Sequence, residues 1–351
     1  MLYLLSWVLS LGTTDFSFSV ALGSLWKIPD GEFLRKMGAL YGPDVWVDGQ
    51  WWRILSLGFL HGSLVHLAFN LVTLFSLTPW IAELERPGLF LGLLIVSIVW
   101  SGLASLFWAD SGLVVGVSGG IFGLAGGLIV ARQFGHTEIR NRLADLPIGQ
   151  LALGLGVILF LGSLLEHIPG FPKLANAGHW GGLVGGCFVI LAIIGSTRTL
   201  RFAAHVGLLV GSVLLLFGAQ NPYSTDRYLE ILAFHHFEEG DFSKAERSFR
   251  ALLELRGDDA TVQNALAYLL LESGGDLIEA ELLIEAAIAE LPDHPDLLDT
   301  FGWLRCQQGD TERGVEMLER ALQRSDSADE EILSHLENCA LAYRRSENTS
   351  L

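Results

Sequence analysis

The chain has 351 residues with 22 basic and 39 acidic side chains, a net charge of −17, yet 51% of it is hydrophobic and its mean hydropathy is +0.43. The charge is confined: residues 1–220 carry 11 basic and 11 acidic groups, whereas residues 221–351 carry 11 and 28. That contrast excludes a single soluble domain, and the acidic balance argues against a nucleic-acid partner, which needs a basic face to neutralise phosphates.

Residues 2–26 read as a first membrane span, although Asp15 near the middle is costly in lipid. The competing reading is a cleaved signal peptide ending near Ser19-Val20-Ala21, against which stands the lack of a basic n-region. A long loop, 27–63, comes next. Six uncharged stretches then follow: 29 residues between Arg53 and Glu83, 23 between Arg86 and Asp110, 21 between Asp110 and Arg132, 20 between Asp145 and Glu166, 24 between Lys173 and Arg198, and 24 between Arg201 and Asp226. A bilayer core needs about 20 apolar residues per helix, so each is expected to be a span. With seven helices and an inside N-terminus, the inside loops carry Arg86, Arg132, Arg140, Arg142, Arg198 and Arg201, and the short outside loops only Lys173. The positive-inside rule favours that orientation, which puts the 27–63 loop and the C-terminal region outside.

From residue 221 the pattern becomes helical and repeating. Gly240-Asp241, Gly275-Asp276 and Gly309-Asp310 recur at intervals of 35 and 34. Four residues after each Asp stands a small residue (Ala245, Ala280, Gly314), and four further on an apolar one (Phe249, Ile284, Leu318). This resembles tetratricopeptide repeats, helix-turn-helix units of about 34 residues that stack through small-to-large contacts, with 329–345 as a closing helix. An irregular helical bundle is the alternative. Either way the region reads as a binding surface, with its acids on a solvated face. Cys187 lies inside a span and reads as packing; Cys306 and Cys339 are expected to be buried free thiols, since they could pair only in an oxidising compartment.

Polar side chains inside a membrane are functional candidates first. His61, His66 and Asn70 lie in and just before the second span (FLHGSLVHLAFN), Ser118 in the fourth (GVSGGIFGLAGG), and His179 opens the sixth (NAGHWGGLVGG). Gly119, Gly123 and Gly127 stand four apart, as do Gly178, Gly182 and Gly186. Small residues at that spacing let two helices meet backbone to backbone, which would bring the Ser118 hydroxyl and the His179 imidazole to one depth. A Ser in reach of a His is the minimum for acyl transfer, here a dyad, because the spans offer no acid as third member. His66 and Asn70 share a face at i and i+4 and could donate to an oxyanion with the Ser118 N–H, and Gly116 would let that backbone open toward a substrate. Taken singly each has a blander reading: a back-bonded serine, a proton path, or a His61, His66 and His179 metal site.

Jointly these motifs, from Gly38 to Gly186, resemble the rhomboid intramembrane serine proteases: GALYGPDVWVDGQWWRILSLGFLHGSLVHLAFN is similar to the family's first loop and second helix, GVSGGIFGL to its nucleophile motif, and GHWGGLVGG to its histidine helix. The resemblance implies that Ser118 is the nucleophile, His179 the general base, and His66 and Asn70 oxyanion donors. It gives Trp52-Arg53 a structural role in the loop, and His61 and Asn176 supporting or structural ones. Phe122 stands where many members have Tyr, which keeps a ring that can stack on the imidazole; Gly178 replaces a more usual Ala, and the acid expected to end the second helix is displaced to Glu83 or Glu85. The expected fold is all-α: a polytopic bundle of six core helices plus one C-terminal helix over 1–220, then a helical-repeat solenoid over 221–351. The implied activity is that of a serine-type endopeptidase cutting in or beside transmembrane helices of other proteins, without cofactor or metal. It is placed as a multi-pass protein of the plasma (inner) membrane, with an extracytoplasmic repeat domain that docks substrate or a protein partner. The alternative is a catalytically silent rhomboid-like scaffold that binds transmembrane helices.

Overall fold

The computed structural model describes residues 31–86, 88–108, 113–165, 176–220, 222, 225–325 and 329–349; the expected span at 2–26 and Lys173 lie outside them. The chain divides into two compact units, 1–224 and 225–351.

In the first unit, the described part of the loop before the second predicted span contains three short α-helices, α1 (Gly31–Lys36), α2 (Gly42–Trp46) and α3 (Arg53–Ser56). Between α1 and α2, strand β1 (Leu40–Tyr41) pairs antiparallel with β2 (Leu113–Val114), Leu40 opposite Val114 and Tyr41 opposite Leu113. The longer helices are α4 (Leu64–Ala82), α5 (Leu89–Trp108), α6 (Ser118–Phe134), α8 (Ile148–Leu165), α9 (Asn176–Ile194) and α10 (Arg198–Gln220); α7 (Thr137–Arg142) is a short turn between α6 and α8. Each uncharged stretch thus holds most of one of these longer helices. Among the described residues, α4, α5, α9 and α10 are long and apolar enough to cross a membrane, while α6 and α8 are the short ones at 17 and 18 residues.

The packing inverts that of a water-soluble protein. Phe69 and Phe75 on α4, Phe160 on α8, and Phe202 and Phe217 on α10 are each about two-thirds or more exposed, whereas about half of the buried residues of α6 and α9 are glycine. Without a hydrophobic drive between helices in lipid, close backbone approach has to supply the contact. A Cβ added to Gly182 or Gly186 would overlap the carbonyl oxygens of Gly119 and Gly123, so the two glycine series mesh backbone on backbone. Aromatic rings of α5 and α9 seat α10: Phe188 lies against Gly207, Trp100 against Gly211 and Phe107 against Gly218.

The second unit is a run of helices: α11 (Thr225–Glu238), α12 (Phe242–Arg256), α13 (Ala260–Ser273), α14 (Leu277–Glu290), α15 (Pro295–Gln307), α16 (Thr311–Arg324) and α17 (Glu330–Thr349). The recurring Gly-Asp pairs mark turns between successive helices. Gly240 and Gly309 take positive φ (74° and 89°), which glycine adopts without penalty, and Asp241 then accepts the Lys244 N–H to cap α12. In the middle turn the extra glycine does this work: Gly274 has φ of 68°, and Asp276 caps α14 through the Ile278 N–H at 2.9 Å. Ala245, Ala280 and Gly314 are buried with Phe249, Ile284 and Leu318, so the small-then-large pattern is the core.

Ion pairs join neighbouring helices here. Arg250 reaches Glu279 on α14 as well as Glu246 on its own helix, and Arg305 reaches Glu281 and Glu285; the two carboxylates push the Arg250 guanidinium above its ordinary pKa. One expectation is overturned: Cys306 on α15 and Cys339 on α17 are joined as a disulfide, with Cα atoms 5.6 Å apart, rather than held as two free thiols. Residues one repeat apart lie side by side when repeats stack, and 33 residues separate this pair. Cys187 is a free thiol, half-buried.

Candidate active site

The described part of the loop, from Gly31, is held by one buried guanidinium. Arg53 donates to the carbonyls of Arg35 (2.6 Å) and Ala39 (2.8 Å) and to Gln50 Oε1, and its Nη2 lies 3.0 Å from the buried carboxylate of Asp44, which Arg35 also pairs. Such a group is stable out of water only when its charge and donors are met, and here they are. Trp52 packs its ring against Gly38, whose φ of 103° and lack of Cβ the contact requires. The Trp46 indole donates to the Ala219 carbonyl on α10 at 2.7 Å. Trp52 and Arg53 therefore organise the loop and lie apart from the Ser/His cluster.

That loop positions the segment leading into α6. The β1–β2 pairing and the Gly116 N–H, which donates to the Leu57 carbonyl at 2.9 Å, fix residues 113–116 just before Ser118 opens its helix. As the first residue of α6, Ser118 has a backbone N–H without a helical acceptor, at the positive end of the helix dipole.

Ser118 Oγ and His179 Nε2 are 2.9 Å apart. With the imidazole proton on Nδ1, the hydroxyl donates to Nε2. His179 is buried, and its Nδ1 has no hydrogen-bond partner among the described residues. Phe122, one turn beyond Ser118, stacks on the imidazole with ring centroids 4.5 Å apart and planes 15° from parallel.

The second predicted pair stands beside this one. Ser63 caps α4 by accepting the His66 N–H at 3.0 Å, which sets where the helix starts and puts His66 in its first turn and Asn70 one turn on. Gly116 has φ of 124°, and a Cβ there would come within 3.1 Å of His66 Nε2 and 3.6 Å of Ser118 Oγ. Glycine at 116 thus leaves open the volume that the imidazole and the hydroxyl share. Asn70 is buried with its Nδ2 undonated among the described residues. His61, buried, meets His66 edge to face at 5.1 Å. Asn176 is turned elsewhere: its Nδ2 donates to the Leu159 carbonyl (3.3 Å) and Ser163 Oγ (3.0 Å), tying α9 to α8.

The sequence reading missed the third helix of this junction. Ser97, Ser101 and Ser105 on α5 are buried against Gly123, Gly119 and Gly178. Their spacing of four within an apolar helix was the available signal, of the same kind as the glycine series.

Residues 48–196 match the family model of the rhomboid domain. That match and the long apolar helices support an integral, multi-pass membrane protein. It is 26% identical to rhomboid protease GluP of Bacillus subtilis over 254 residues, 70% of this chain and 47% of that protein. Since 70% of the chain is more than the first unit contains, this match runs into the second unit. It is 33% identical over 161 residues to RHOMBOID-like protein 4 of Arabidopsis thaliana, covering 45% of this chain and 38% of that one. Beside the rhomboid matches, a TPR repeat-containing protein of Pseudomonas aeruginosa is 34% identical over 96 residues, 27% of this chain and 16% of that protein. The chain spans about half or less of the length of these curated relatives.

Proposed function

We propose that the protein is an intramembrane serine endopeptidase that hydrolyses peptide bonds in or beside transmembrane helices of other membrane proteins. The observation that carries this reading is the 2.9 Å contact between Ser118 Oγ and His179 Nε2 inside a rhomboid domain. In the reaction Ser118 Oγ attacks the scissile carbonyl carbon while its proton passes to His179 Nε2. The tetrahedral intermediate collapses as the C–N bond breaks and the imidazolium gives its proton to the leaving amine. Water, deprotonated by the same imidazole, then cleaves the acyl ester. The oxyanion is received by the Ser118 N–H, His66 and the undonated Asn70 amide, which needs no other bond broken to turn toward it. A helical carbonyl is already hydrogen-bonded, so the substrate has to unwind locally, and Gly, Pro or small residues near the cut are favoured.

The second unit reads as tetratricopeptide-like repeats that dock a substrate's soluble part or a protein partner, raising its effective concentration at the site. Support comes from the Gly-Asp turns, the 34–35-residue spacing and the match to a repeat protein. The Cys306–Cys339 disulfide favours an oxidising, extracytoplasmic side for this unit, in agreement with the charge-based orientation in a plasma or inner membrane. External protease acting on intact cells should therefore degrade residues 225–351; protection would put the unit inside.

The test of activity is cleavage of a reporter membrane protein. Ser118→Ala and His179→Ala should each abolish it while leaving the fold intact, and undiminished cleavage by either would leave the catalytically silent, helix-binding scaffold as the better reading.

A further inference from the structure

Ser101 lies on α5, a helix that supplies no member of the Ser118–His179 pair. Its side chain is buried. A methyl group built on Gly119 would overlap the Ser101 Cβ and hydroxyl, and one built on Gly178 would come within 2.9 Å of the same hydroxyl. Gly119 is bonded directly to Ser118, and Gly178 directly to His179. The Ser101 side chain thus fills the notch between the two stretches of backbone whose separation is the separation of the hydroxyl and the imidazole. Its neighbours do not bridge in this way: Ser97 lies against Gly123 on α6, and Ser105 against Gly178 on α9.

We infer that Ser101 is a positioning residue: the volume of this side chain sets the spacing of α6 and α9 at the level of Ser118 and His179, and with it the geometry of proton transfer. The inference rests on the dyad reading above. Glycine on both walls of the notch leaves no side chain that could turn aside, so extra atoms at position 101 have to displace backbone. A 2.9 Å hydrogen bond tolerates a few tenths of an ångström before it weakens. Misplacement of about 1 Å is enough to cost on the order of 100-fold in rate. Neither wall of the notch is among the groups assigned above to the oxyanion, so the loss is expected in the chemical step.

The experiment compares Ser101→Val and Ser101→Ala in the purified full-length protein, with kcat and KM for a reporter membrane substrate, the rate of fluorophosphonate labelling at Ser118, and thermal stability. For Ser101→Val, kcat should fall roughly 100-fold at unchanged KM, with labelling slowed in step. Ser101→Ala, which removes the oxygen but pushes neither backbone away, should lower kcat far less than Ser101→Val does. A valine variant with parental kcat, or one that raises KM alone, overturns the inference. Should the valine variant not fold, Ser101→Thr, one methyl larger than the parent, is read by the same criteria. If the parent protein itself neither cleaves nor labels, it is the protease reading that falls. The nitrogen chemical shift of His179 Nε2 in parent and variant then decides the spacing, because loss of the hydrogen bond moves it with or without turnover, and an unmoved shift overturns the inference.

Discussion

Phe122 lies flat on the imidazole of His179, with ring centroids 4.5 Å apart and planes 15° from parallel. On the proposed mechanism, the stack restrains the tilt of the ring that accepts and returns the Ser118 proton. An aromatic contact of this kind contributes about 0.5–1.5 kcal/mol. Phe122→Ala should therefore lower kcat by roughly 2- to 10-fold with little change in KM, and Phe122→Tyr, which keeps the ring, should preserve it. Steady-state kinetics on a reporter substrate checks both.

The α6–α9 seam should tolerate no side chain. A Cβ at Gly182 would overlap the Gly119 carbonyl oxygen, so Gly182→Val has to part the two helices. Overpacking of this kind costs about 1–3 kcal/mol, and the separation also breaks the Ser118–His179 contact. The variant should lose both thermal stability and cleavage. Gly154→Ala on exposed α8 meets nothing within 4 Å and should lose neither.

Reduction should loosen the second unit. A cross-link closing a loop of this length stabilises by about 3–4 kcal/mol in the chain-entropy account. Thermal unfolding with and without a dithiol reductant should show the transition of residues 225–351 fall on reduction. A Cys306→Ser, Cys339→Ser variant should unfold at the reduced temperature and ignore the reductant.

A pH dependence follows from the buried contact between His335 Nδ1 and both carboxylate oxygens of Asp299, each at 3.0 Å. Burial opposes charge on the imidazole, but Asp299, with Glu331 and Glu272 nearby, holds the proton and raises the His335 pKa above 6.5; burial also raises that of the Asp299 carboxyl. Both groups bind protons more tightly folded than unfolded. The His335 contribution is thus fully present below pH 6.5 and is lost as pH rises through its raised value. Melting of the second unit from pH 6 to 9 should show this decline, and His335→Gln should flatten it.

Much of the membrane unit was legible because lipid makes each polar residue conspicuous. The uncharged stretches marked the helices, and two glycine series with a Ser and a His beside their first members foretold which helices would meet. What stayed hidden depends on long-range closure. Nothing local says that Leu40 and Tyr41 pair with Val114 and Leu113, or that Arg53 is the hub of the loop that delivers Gly116. Ser101 was passed over because a serine in an apolar helix ordinarily bonds to its own backbone. The disulfide was missed for a different reason: the cysteines were weighed against compartment chemistry, while their spacing, close to one repeat, already made them neighbours in a stacked array.

The two-residue ribbon between the loop and the approach to Ser118 has a consequence for how the protein can fail. Leu40 and Tyr41 reach the segment before Ser118 through main-chain bonds, so the pairing is indifferent to most side chains yet sensitive to any change that shifts the register of the loop by one residue. Insertions or deletions between Gly38 and Leu57 should abolish the proposed cleavage as thoroughly as loss of Ser118, whereas many point substitutions there should pass unnoticed. Length, more than composition, is what this loop transmits to the chemistry.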